Sequence, residues 1–266
     1  MTGDPLLAVP LPFLGAAGFF LGTIVGSYLA TVFVRWPQGL SAMGGRSRCD
    51  GCGAALGAGE LIPLLSFVIA RGRCRRCGTR IDPSHLLLEI AGGLIGLAAV
   101  LAHPQPLALA TALFGWMLLL LAALDAEHHW LPDAVTLPLV PLGLGVAALE
   151  LGPPLLDRLL GAVVGGGFLW LLAVGYRRLR GREGLGGGDP KLLAGIGAWV
   201  GLLQLPFVLI GAGLLGLVSL LLMRLRGAKV SPTTRLPLGA LMALAAWPIW
   251  LAHDAFHSPA IQTNLL

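Results

Sequence analysis

The stretch LLLLAALDAEHHWLPDAVTLPL, residues 118–139, ends one long apolar run at Asp125 and starts another just after Asp133. Ionisable residues near membrane depth are costly, so an acid at such a boundary is a candidate for function. The same alternation of apolar runs and polar turns continues along the chain, in which 56% of the 266 residues are hydrophobic and 12% are charged. The mean hydropathy is +0.83. This composition lies far from that of soluble domains and predicts an all-α, polytopic membrane protein.

About eight apolar segments are candidates for transmembrane helices, because roughly 20 apolar residues cross a bilayer core of about 30 Å. The stretch before the first segment carries Asp4 and no basic residue, so it lacks the basic region of a cleaved signal peptide. We therefore expect the first segment to remain as a membrane helix. The glycine-rich run 161–167 is interpreted as a close helix contact, and tryptophans near segment ends are expected at the membrane interface. The segments are 11–34, 86–103, 106–124, 134–150, 159–176, 191–203, 205–223 and 236–252.

Basic residues are distributed unevenly among the loops. Nearly all of the 18 follow the first, fifth or seventh segment, whereas Arg158 alone lies between the fourth and fifth. Basic loops stay in the cytoplasm, so these loops are predicted inside and the N-terminus outside. The same parity puts Asp125 and Asp189 at the cytoplasmic face. We therefore attribute the net charge of +5 to membrane topology. Membrane lipid is an expected partner, and nucleic acid is not. The basic residues in these loops are Arg35, Arg46, Arg48, Arg71, Arg73, Arg75, Arg76, Arg80, Arg177, Arg178, Arg180, Arg182, Lys191, Arg224, Arg226, Lys229 and Arg235.

Residues 37–84 form the one polar insertion long enough to fold separately, and they contain all four cysteines. Cys49 and Cys52 form one C-x-x-C pair and Cys74 and Cys77 form another, each followed by glycine where the backbone must fold back. This spacing predicts a structural Zn²⁺ site, because four thiolates leave no open position for a catalytic water. The alternative is two disulfides or four unrelated thiols, although the cytoplasm keeps thiols reduced. The predicted domains are a first transmembrane helix (1–36), a small cytoplasmic zinc-binding module (37–84) and a transmembrane bundle (85–258).

Two aspartates are candidates for hydrolytic chemistry. Asp125 ends an apolar segment, and Asp189 follows the glycines of GLGGGDPKLLAGIGAWVG, residues 184–201, just before another; Glu89 is a further acid near membrane depth. Two carboxyl groups close together cannot both ionise cheaply and can share a proton. One can then act as a general base on water while the other donates a proton to the scissile carbonyl or its leaving amine. The glycines would let an extended backbone approach the acid. Alternatively, Asp189 is a helix N-cap with Pro190 at the first helical position.

Other ionisable residues near the same face have simpler interpretations. Asp133, after Pro132, is expected to cap a helix. His128 and His129 resemble a metal pair, but adjacent residues point to different faces of a helix, so an interfacial polar role is favoured. Glu127 either tunes its neighbours or is solvated.

Two other classes of function remain open on these residues. A polytopic transporter could use Asp125 and Asp189 as proton carriers, with the cysteine module as a regulatory domain. Carrier sites are expected nearer the membrane midplane, however, whereas both aspartates are predicted on one face. The third hypothesis is a scaffold whose zinc module binds a cytoplasmic partner and whose aspartates are only caps.

Four motifs, in order along the chain, resemble those of the type IV prepilin peptidases, which are polytopic aspartyl proteases of bacterial and archaeal membranes. The resemblance implies that Asp125 and Asp189 are the catalytic pair of an enzyme of the bacterial inner membrane. It implies cleavage of the short basic leader of prepilins or pseudopilins, after a glycine, on the cytoplasmic side. The motifs are GFFLGTIVGSYLATVFVRWP (18–37), RCDGCGAALGAGELIPLLSFVIARGRCRRCG (48–78), LDAEHHWLPDAVTLPL (124–139) and EGLGGGDPKLLAGIGAW (183–199).

The resemblance also implies a second activity, because many members methylate the new N-terminal amine with S-adenosylmethionine. This activity is linked to the cysteine loop, where Gly72 is the candidate residue. Ala30 stands where the family usually has asparagine, and SHL (84–86), which is Ser84, His85 and Leu86, stands where it usually has Arg-Tyr-Pro. The late PFGP motif appears as PLGA, residues 237–240. None of these differences is expected to touch the aspartates, so they bear on methyl transfer and substrate choice rather than on proteolysis.

Overall fold

The computed structural model describes residues 9–44, 46–103, 106–181, 184–228, 231 and 235–252. Within these ranges the regular secondary structure is helical, apart from two isolated β-bridges, which agrees with the predicted all-α class. Arg182, Lys229 and the predicted end of the bundle at residue 258 lie outside the described residues. The α-helices are α1 (Leu11–Arg35), α2 (Leu65–Ile69), α3 (Pro83–Ala102), α4 (Leu107–His128), α5 (Asp133–Ala148), α6 (Leu155–Arg180), α7 (Asp189–Val200), α8 (Leu205–Leu225) and α9 (Leu238–Leu251).

Each predicted apolar segment corresponds to a helix, but within the described residues five helices are long and apolar enough to cross a membrane. These are α1, α3, α4, α6 and α8. The helices α5, α7 and α9 are shorter; α7 has 12 residues, which extend about 18 Å, well below a bilayer core of about 30 Å. The hydropathy of the sequence predicted these three segments because they contain runs of apolar residues. Hydropathy does not indicate where a helix begins and ends, so it did not give their lengths.

The described chain divides into two compact units, Met1–Ala112 and Leu113–Leu266. In the first unit, α1 and α3 pack together along glycines. A Cβ atom at Gly92 would lie 2.5 Å from the carbonyl oxygen of Gly22 and 2.9 Å from the Cα atom of Gly26. Close approach at small residues is a common way for membrane helices to associate. The loop that holds the cysteines therefore leaves and returns at the same end of this helix pair.

In the second unit, α7 packs against α5, α6 and α9. A Cβ atom at Gly161 of α6 would lie 2.5 Å from the carbonyl oxygen of Gly197 of α7, so the two backbones touch. The interpretation of 161–167 as a close helix contact is therefore confirmed. Because α7 has neighbours on several sides, many of its residues are fully buried. They include Leu192, Leu193, Ile196 and Trp199.

Three aromatic rings join α4, α7 and α9. Phe114 stacks on Trp199 with a centroid distance of 4.6 Å, and Trp250 meets both edge-on at 5.8 and 5.7 Å. Nε1 of Trp199 donates a 2.9 Å hydrogen bond to the carbonyl oxygen of Leu139. The expectation of an interfacial position is wrong for these two tryptophans. Both rings are buried because they pack against other aromatic rings in the core, and the indole N–H of Trp199 has a main-chain carbonyl as its hydrogen-bond acceptor.

Arg158, the one basic residue outside the three basic loops, is fully buried at the start of α6. Its guanidinium donates to the carbonyl oxygens of Pro153 (3.0 Å), Gly143 (2.8 Å) and Leu151, and its Cζ lies 5.2 Å from the ring centroid of Trp250. The buried guanidinium therefore holds the connection between α5 and α6 through hydrogen bonds to main-chain oxygens. Because it is buried, its charge does not lie on the surface of a loop.

Candidate active site

Asp125 lies in the last turn of α4 and is buried, with 6% of its surface exposed. The helix continues to His128, so the aspartate lies within the segment that it was expected to end. Its Oδ2 accepts a 2.8 Å hydrogen bond from the main-chain N–H of Ala240, in the first turn of α9. The first N–H groups of a helix have no partner inside the helix, and they favour a carboxylate. A residue far along the chain thus orients the Asp125 carboxyl group.

Gly239 lies directly against the same carboxyl group. A Cβ atom at position 239 would be 2.9 Å from Oδ2 of Asp125 and 2.8 Å from Cδ1 of Leu131. Our expectation that the PLGA motif (237–240) does not touch the aspartates is therefore wrong. The contacts are made by a main-chain N–H and by the absence of a side chain, so comparing side chains could not reveal them. The glycine of the motif was the only signal in the sequence.

Asp189 is the first residue of α7 and is also buried, with 7% of its surface exposed. Its Oδ2 accepts a 3.0 Å hydrogen bond from the main-chain N–H of Gly186. Gly188 is the N-cap residue of α7, and no side chain caps this helix. The N-cap alternative for Asp189 is therefore wrong, because its carboxyl group is turned back toward the glycine loop that precedes the helix.

Leu131 lies between Gly188, which precedes Asp189, and Gly239, which contacts Asp125. A Cβ atom at Gly188 would lie 2.7 Å from the Cβ atom of Leu131, and one at Gly239 would lie 2.8 Å from its Cδ1. The leucine side chain therefore fills the space beside both glycines, and a side chain at either position would displace it. Sequence reasoning did not single out Leu131; an apolar residue inside a polar turn was its only signal.

The end of α4 and the starts of α7 and α9 bring the two acids to one region, because Gly188, next to Asp189, and Gly239, which contacts Asp125, both lie against Leu131. The charge of Asp125 acts on the carboxyl group of Asp189. Main-chain N–H groups of Ala240 and Gly186 each hold one oxygen of a carboxyl group. Coupled acids in a desolvated site can share a proton. That state supplies one base and one acid for chemistry on water.

Asp133 pairs with Lys191 and does not cap α5. The N-cap position belongs to Pro132 and carries no side-chain cap, whereas both Asp133 oxygens accept hydrogen bonds from Nζ of Lys191, at 2.7 and 2.9 Å. The predicted cap is therefore wrong, because a cation from a distant segment holds the carboxylate. The pair ties the start of α5 to the start of α7, two residues after Asp189. Its side chains are 56% and 43% exposed, so it contributes about 1 kcal/mol or less.

Glu127, His128 and His129 are all exposed. Nδ1 of His129 lies 3.1 Å from the main-chain oxygen of Asp125. These positions favour the polar, interfacial interpretation of the histidines and the solvated alternative for Glu127.

The four cysteines come together in the first unit. The four Sγ atoms lie within 4.8 Å of one another, and those of Cys49 and Cys77 are 3.9 Å apart. All four cysteines are free, so the disulfide alternative is wrong. Zinc–sulfur bonds of about 2.3 Å in a tetrahedron separate the sulfurs by about 3.8 Å. The thiol groups therefore fit a zinc ion.

Both C-x-x-C pairs form the same tight turn. The N–H of Gly53 donates to the oxygen of Cys49 at 2.8 Å, and that of Gly78 donates to the oxygen of Cys74 at 2.9 Å. The φ angles of the two glycines are +69° and +74°, a region that side chains disfavour. The prediction that each turn needs glycine where the backbone folds back is confirmed.

A cavity of about 500 Å³ lies beside the cysteine cluster, within the first unit. Its walls come from the end of α1, the cysteine loop and the start of α3, and they include Thr31, Phe67, His85 and Glu89. This volume is typical of small-molecule sites. Gly72 has φ +65°, and a Cβ atom there would lie 3.1 Å from Cζ of Phe67. A side chain at position 72 would therefore press on the cavity wall.

Comparison with known proteins finds two matching families. Residues 20–103 match the bacterial peptidase A24 N-terminal domain, and residues 112–221 match the type IV leader peptidase family. No solved structure matches the chain.

Among similar proteins, a prepilin leader peptidase/N-methyltransferase from Dichelobacter nodosus is 37% identical over 206 residues, 77% of this chain and 70% of that protein. A protein of the same name from Neisseria gonorrhoeae is 33% identical over 94% of both chains. Another, from Pseudomonas putida, is 34% identical over 91% of this chain and 92% of its own length.

Proposed function

The chain belongs to the type IV leader peptidase family, and from this membership we propose that it is a membrane aspartyl endopeptidase that removes the leader of type IV prepilins or pseudopilins. The enzyme has the peptidase and methyltransferase activities for which its relatives are named. One observation carries the aspartyl mechanism. Asp125 and Asp189, 64 positions apart in the chain, are both buried, each is held by a main-chain N–H, and the charge of Asp125 acts on Asp189.

In this mechanism the two carboxyl groups share one proton. The ionised group takes a proton from a water molecule, whose oxygen attacks the scissile carbonyl carbon. The protonated group donates a hydrogen bond to the carbonyl oxygen and then gives its proton to the leaving amine as the C–N bond breaks. Hydrogen bonds from Ala240 and Gly186 keep one oxygen of each group in place, so the other oxygen can face water and substrate.

The glycine loop before Asp189 supports binding of an extended substrate. A Cβ atom at Gly187 would meet no other atom within 4 Å, so this part of the loop borders open space. A substrate backbone can approach a glycine loop closely because no side chain intervenes. We assign this loop to the residues around the scissile bond.

The site faces the cytoplasm in this proposal. Basic residues lie in the last turns of α1, α6 and α8, which the positive-inside rule puts on the cytoplasmic side. Alternating directions along the eight apolar helices then bring the end of α4 and the starts of α7 and α9 to that same side. The shorter helices α5, α7 and α9 would be embedded without each covering the full thickness of the bilayer.

Cys49, Cys52, Cys74 and Cys77 would hold a structural zinc ion in the cysteine loop. The close approach of their sulfurs supports this assignment. A four-thiolate site stabilises a loop that has little apolar core of its own.

S-adenosylmethionine would supply the methyl group for the second activity. The cavity in the first unit supports this proposal, because its volume suits a small molecule and it lies in the segment that matches the A24 N-terminal domain. Gly72 contributes by leaving room for Phe67 at the cavity wall.

Incubation of the purified protein with a prepilin-derived peptide tests the proposed cleavage. The peptide spans the leader, the glycine and the first mature residues, and mass spectrometry identifies the products. We expect one cut after the glycine by the wild type and none by Asp125→Asn or Asp189→Asn. An intact peptide with the wild type would leave the transporter or the scaffold as the better hypothesis.

A further inference from the structure

The cavity beside the cysteine cluster contains an acid that the cleavage chemistry does not use. Glu89, in the second turn of α3, lines this cavity, and only 6% of its surface is exposed. Its Oε2 accepts a 2.7 Å hydrogen bond from the main-chain N–H of Leu64. The φ angle of Leu64 is +61°, which is unfavourable for a residue with a side chain. Glu89 therefore helps to hold the loop before α2 in a conformation that is strained on its own.

The other acids of the cavity differ from Glu89. Asp50 lies 3.7 Å from Arg35, and Asp82 and Glu60 each accept a 2.8 Å hydrogen bond from a main-chain N–H within their own turns. None of these three acids is buried. Glu89 is buried and, within the described part of the chain, forms no ion pair with a basic side chain, although several arginines line the same cavity.

A buried carboxylate with one main-chain hydrogen bond is incompletely compensated for its lost hydration. A cationic ligand with N–H donors would complete its hydrogen bonding, and charge-assisted bonds of this kind are the stronger ones. The proposed methyl transfer involves three cationic groups: the ammonium of the acceptor, and the sulfonium and the α-ammonium of the donor. The sulfonium cannot donate hydrogen bonds to a carboxylate, so the carboxylate of Glu89 suits one of the two ammonium groups.

We propose that Glu89 binds the new N-terminal ammonium of the cleaved pilin, which makes this cavity the methyl-acceptor site; the inference rests on the methyl transfer proposed above. The carboxylate takes one proton from the ammonium and frees the lone pair of the nitrogen. The nitrogen then forms a bond to the methyl carbon while the bond from that carbon to sulfur breaks. The electron pair of the broken bond stays on sulfur, and the methylated amine carries the positive charge.

Peptide binding to the full-length protein tests the role of Glu89. Two fluorescent peptides with a mature pilin N-terminus are compared, one with a free α-amine and one acetylated on that amine. We expect the wild type to prefer the free amine by about tenfold or more. Glu89→Gln, which keeps an acceptor for the Leu64 N–H, should lose this preference. Glu60→Gln, which removes a cavity acid with its own main-chain partner, should keep it.

Two further measurements keep the result interpretable. Glu89→Asp retains the charge on a shorter side chain and should recover part of the preference for the free amine. If the role of Glu89 were purely structural, its replacement would weaken binding of the free and the acetylated peptide equally. Zinc content and leader cleavage report whether each variant is folded. The wild-type comparison needs no variant: equal affinity for both peptides would overturn the proposal.

Binding of the methyl donor, S-adenosylmethionine, provides a measurement that could contradict the proposal. If Glu89→Gln keeps the preference for the free amine and weakens binding of S-adenosylmethionine, Glu89 faces the donor and the proposal is wrong. Unchanged binding of S-adenosylhomocysteine would then identify the sulfonium as the group that Glu89 faces, and equally weakened binding would identify the α-ammonium of the donor. Failure of the underlying function looks different: the wild type would cleave prepilin and never methylate it. Methylation by the wild type and by Glu89→Gln with the same KM for peptide would overturn only the assignment of Glu89.

Discussion

The main-chain N–H of Ala240 donates a 2.8 Å hydrogen bond to Oδ2 of Asp125, although the two residues are 115 positions apart. The PFGP form of this motif ends in proline, which has no N–H to donate. The alanine of PLGA (237–240) therefore allows a contact that the proline form could not make in the same way. This bond and the adjacent Gly239 make the start of α9 part of the candidate active site.

Replacing either of the two aspartates should remove leader cleavage. Asp125→Asn and Asp189→Asn are expected to lower kcat/KM by at least about 100-fold, because asparagine can be neither the general base nor the proton donor. Peptide cleavage followed by mass spectrometry measures this loss. Glu127→Gln, an exposed acid two residues from Asp125, is the control and should cleave like the wild type. Substantial cleavage by either asparagine variant would refute the pairing of the acids.

Gly239→Ala should impair cleavage more than folding. The added Cβ atom would meet the ends of the Asp125 and Leu131 side chains at 2.9 and 2.8 Å, and both can rotate away. Rotation is cheap for folding, but it misplaces the carboxyl group, so we expect a loss of at least about tenfold in kcat. Gly213→Ala, where the new atom meets nothing within 4 Å, is the matched control. Equal activity of the two variants would contradict the role of Gly239.

Breaking the pair of Asp133 and Lys191 should have a mild effect. The pair is half exposed, so Asp133→Asn or Lys191→Met is expected to cost about 1 kcal/mol of stability or less. Because the pair fixes the starts of α5 and α7, we also expect a loss of a few-fold in kcat. A double variant should lose little more than either single one, since both remove the same contact. A loss in Asp133→Asn as large as in Asp125→Asn would mean that Asp133 itself takes part in catalysis.

The purified protein should contain one zinc ion per chain, bound by the four cysteines. Cys74→Ser should lower the zinc content and unfold the cysteine loop, because a structural zinc contributes directly to folding. Leader cleavage should survive better than methyl transfer, since the two acids lie in the other unit. Metal analysis of protein prepared without chelator gives the stoichiometry. A value near zero in the wild type would contradict the assignment.

Gly72→Glu should abolish methylation before it affects cleavage. A side chain at this position is strained by φ +65° and presses on Phe67 at the cavity wall. Gly39→Glu is the matched control, because Gly39 has φ +71° but nothing within 4 Å of an added Cβ atom. Mass spectrometry of the mature N-terminus detects the methyl group as one added CH₂ unit. If Gly72→Glu reduces cleavage and methylation equally, the two activities are not separable at this position.

Local features of the sequence predicted the helical class, the cysteine cluster and the two aspartates. The number of full membrane spans was less accessible, because α5 and α9 are apolar but shorter than the five long helices, and α7 has only 12 residues. The partner of Asp133 was also inaccessible: a carboxylate before an apolar run suits a cap, until Lys191 approaches from a distant segment. Buried tryptophans were misassigned for the same reason, since hydropathy does not show which neighbours a ring meets.

The sequence by itself determined which segments are apolar, where the thiols can meet and which acids border the apolar runs. These properties depend on composition and on spacings of a few residues, and the energies of hydration and metal coordination act on them directly. Only the tertiary structure decided that Ala240 and Gly239 contact Asp125, that Leu131 lies between Gly188 and Gly239, and that Glu89 is buried at the cavity. These contacts join residues far apart in the chain through main-chain groups and empty space beside glycines. They arise only when the helices pack, so no local pattern of side chains encodes them.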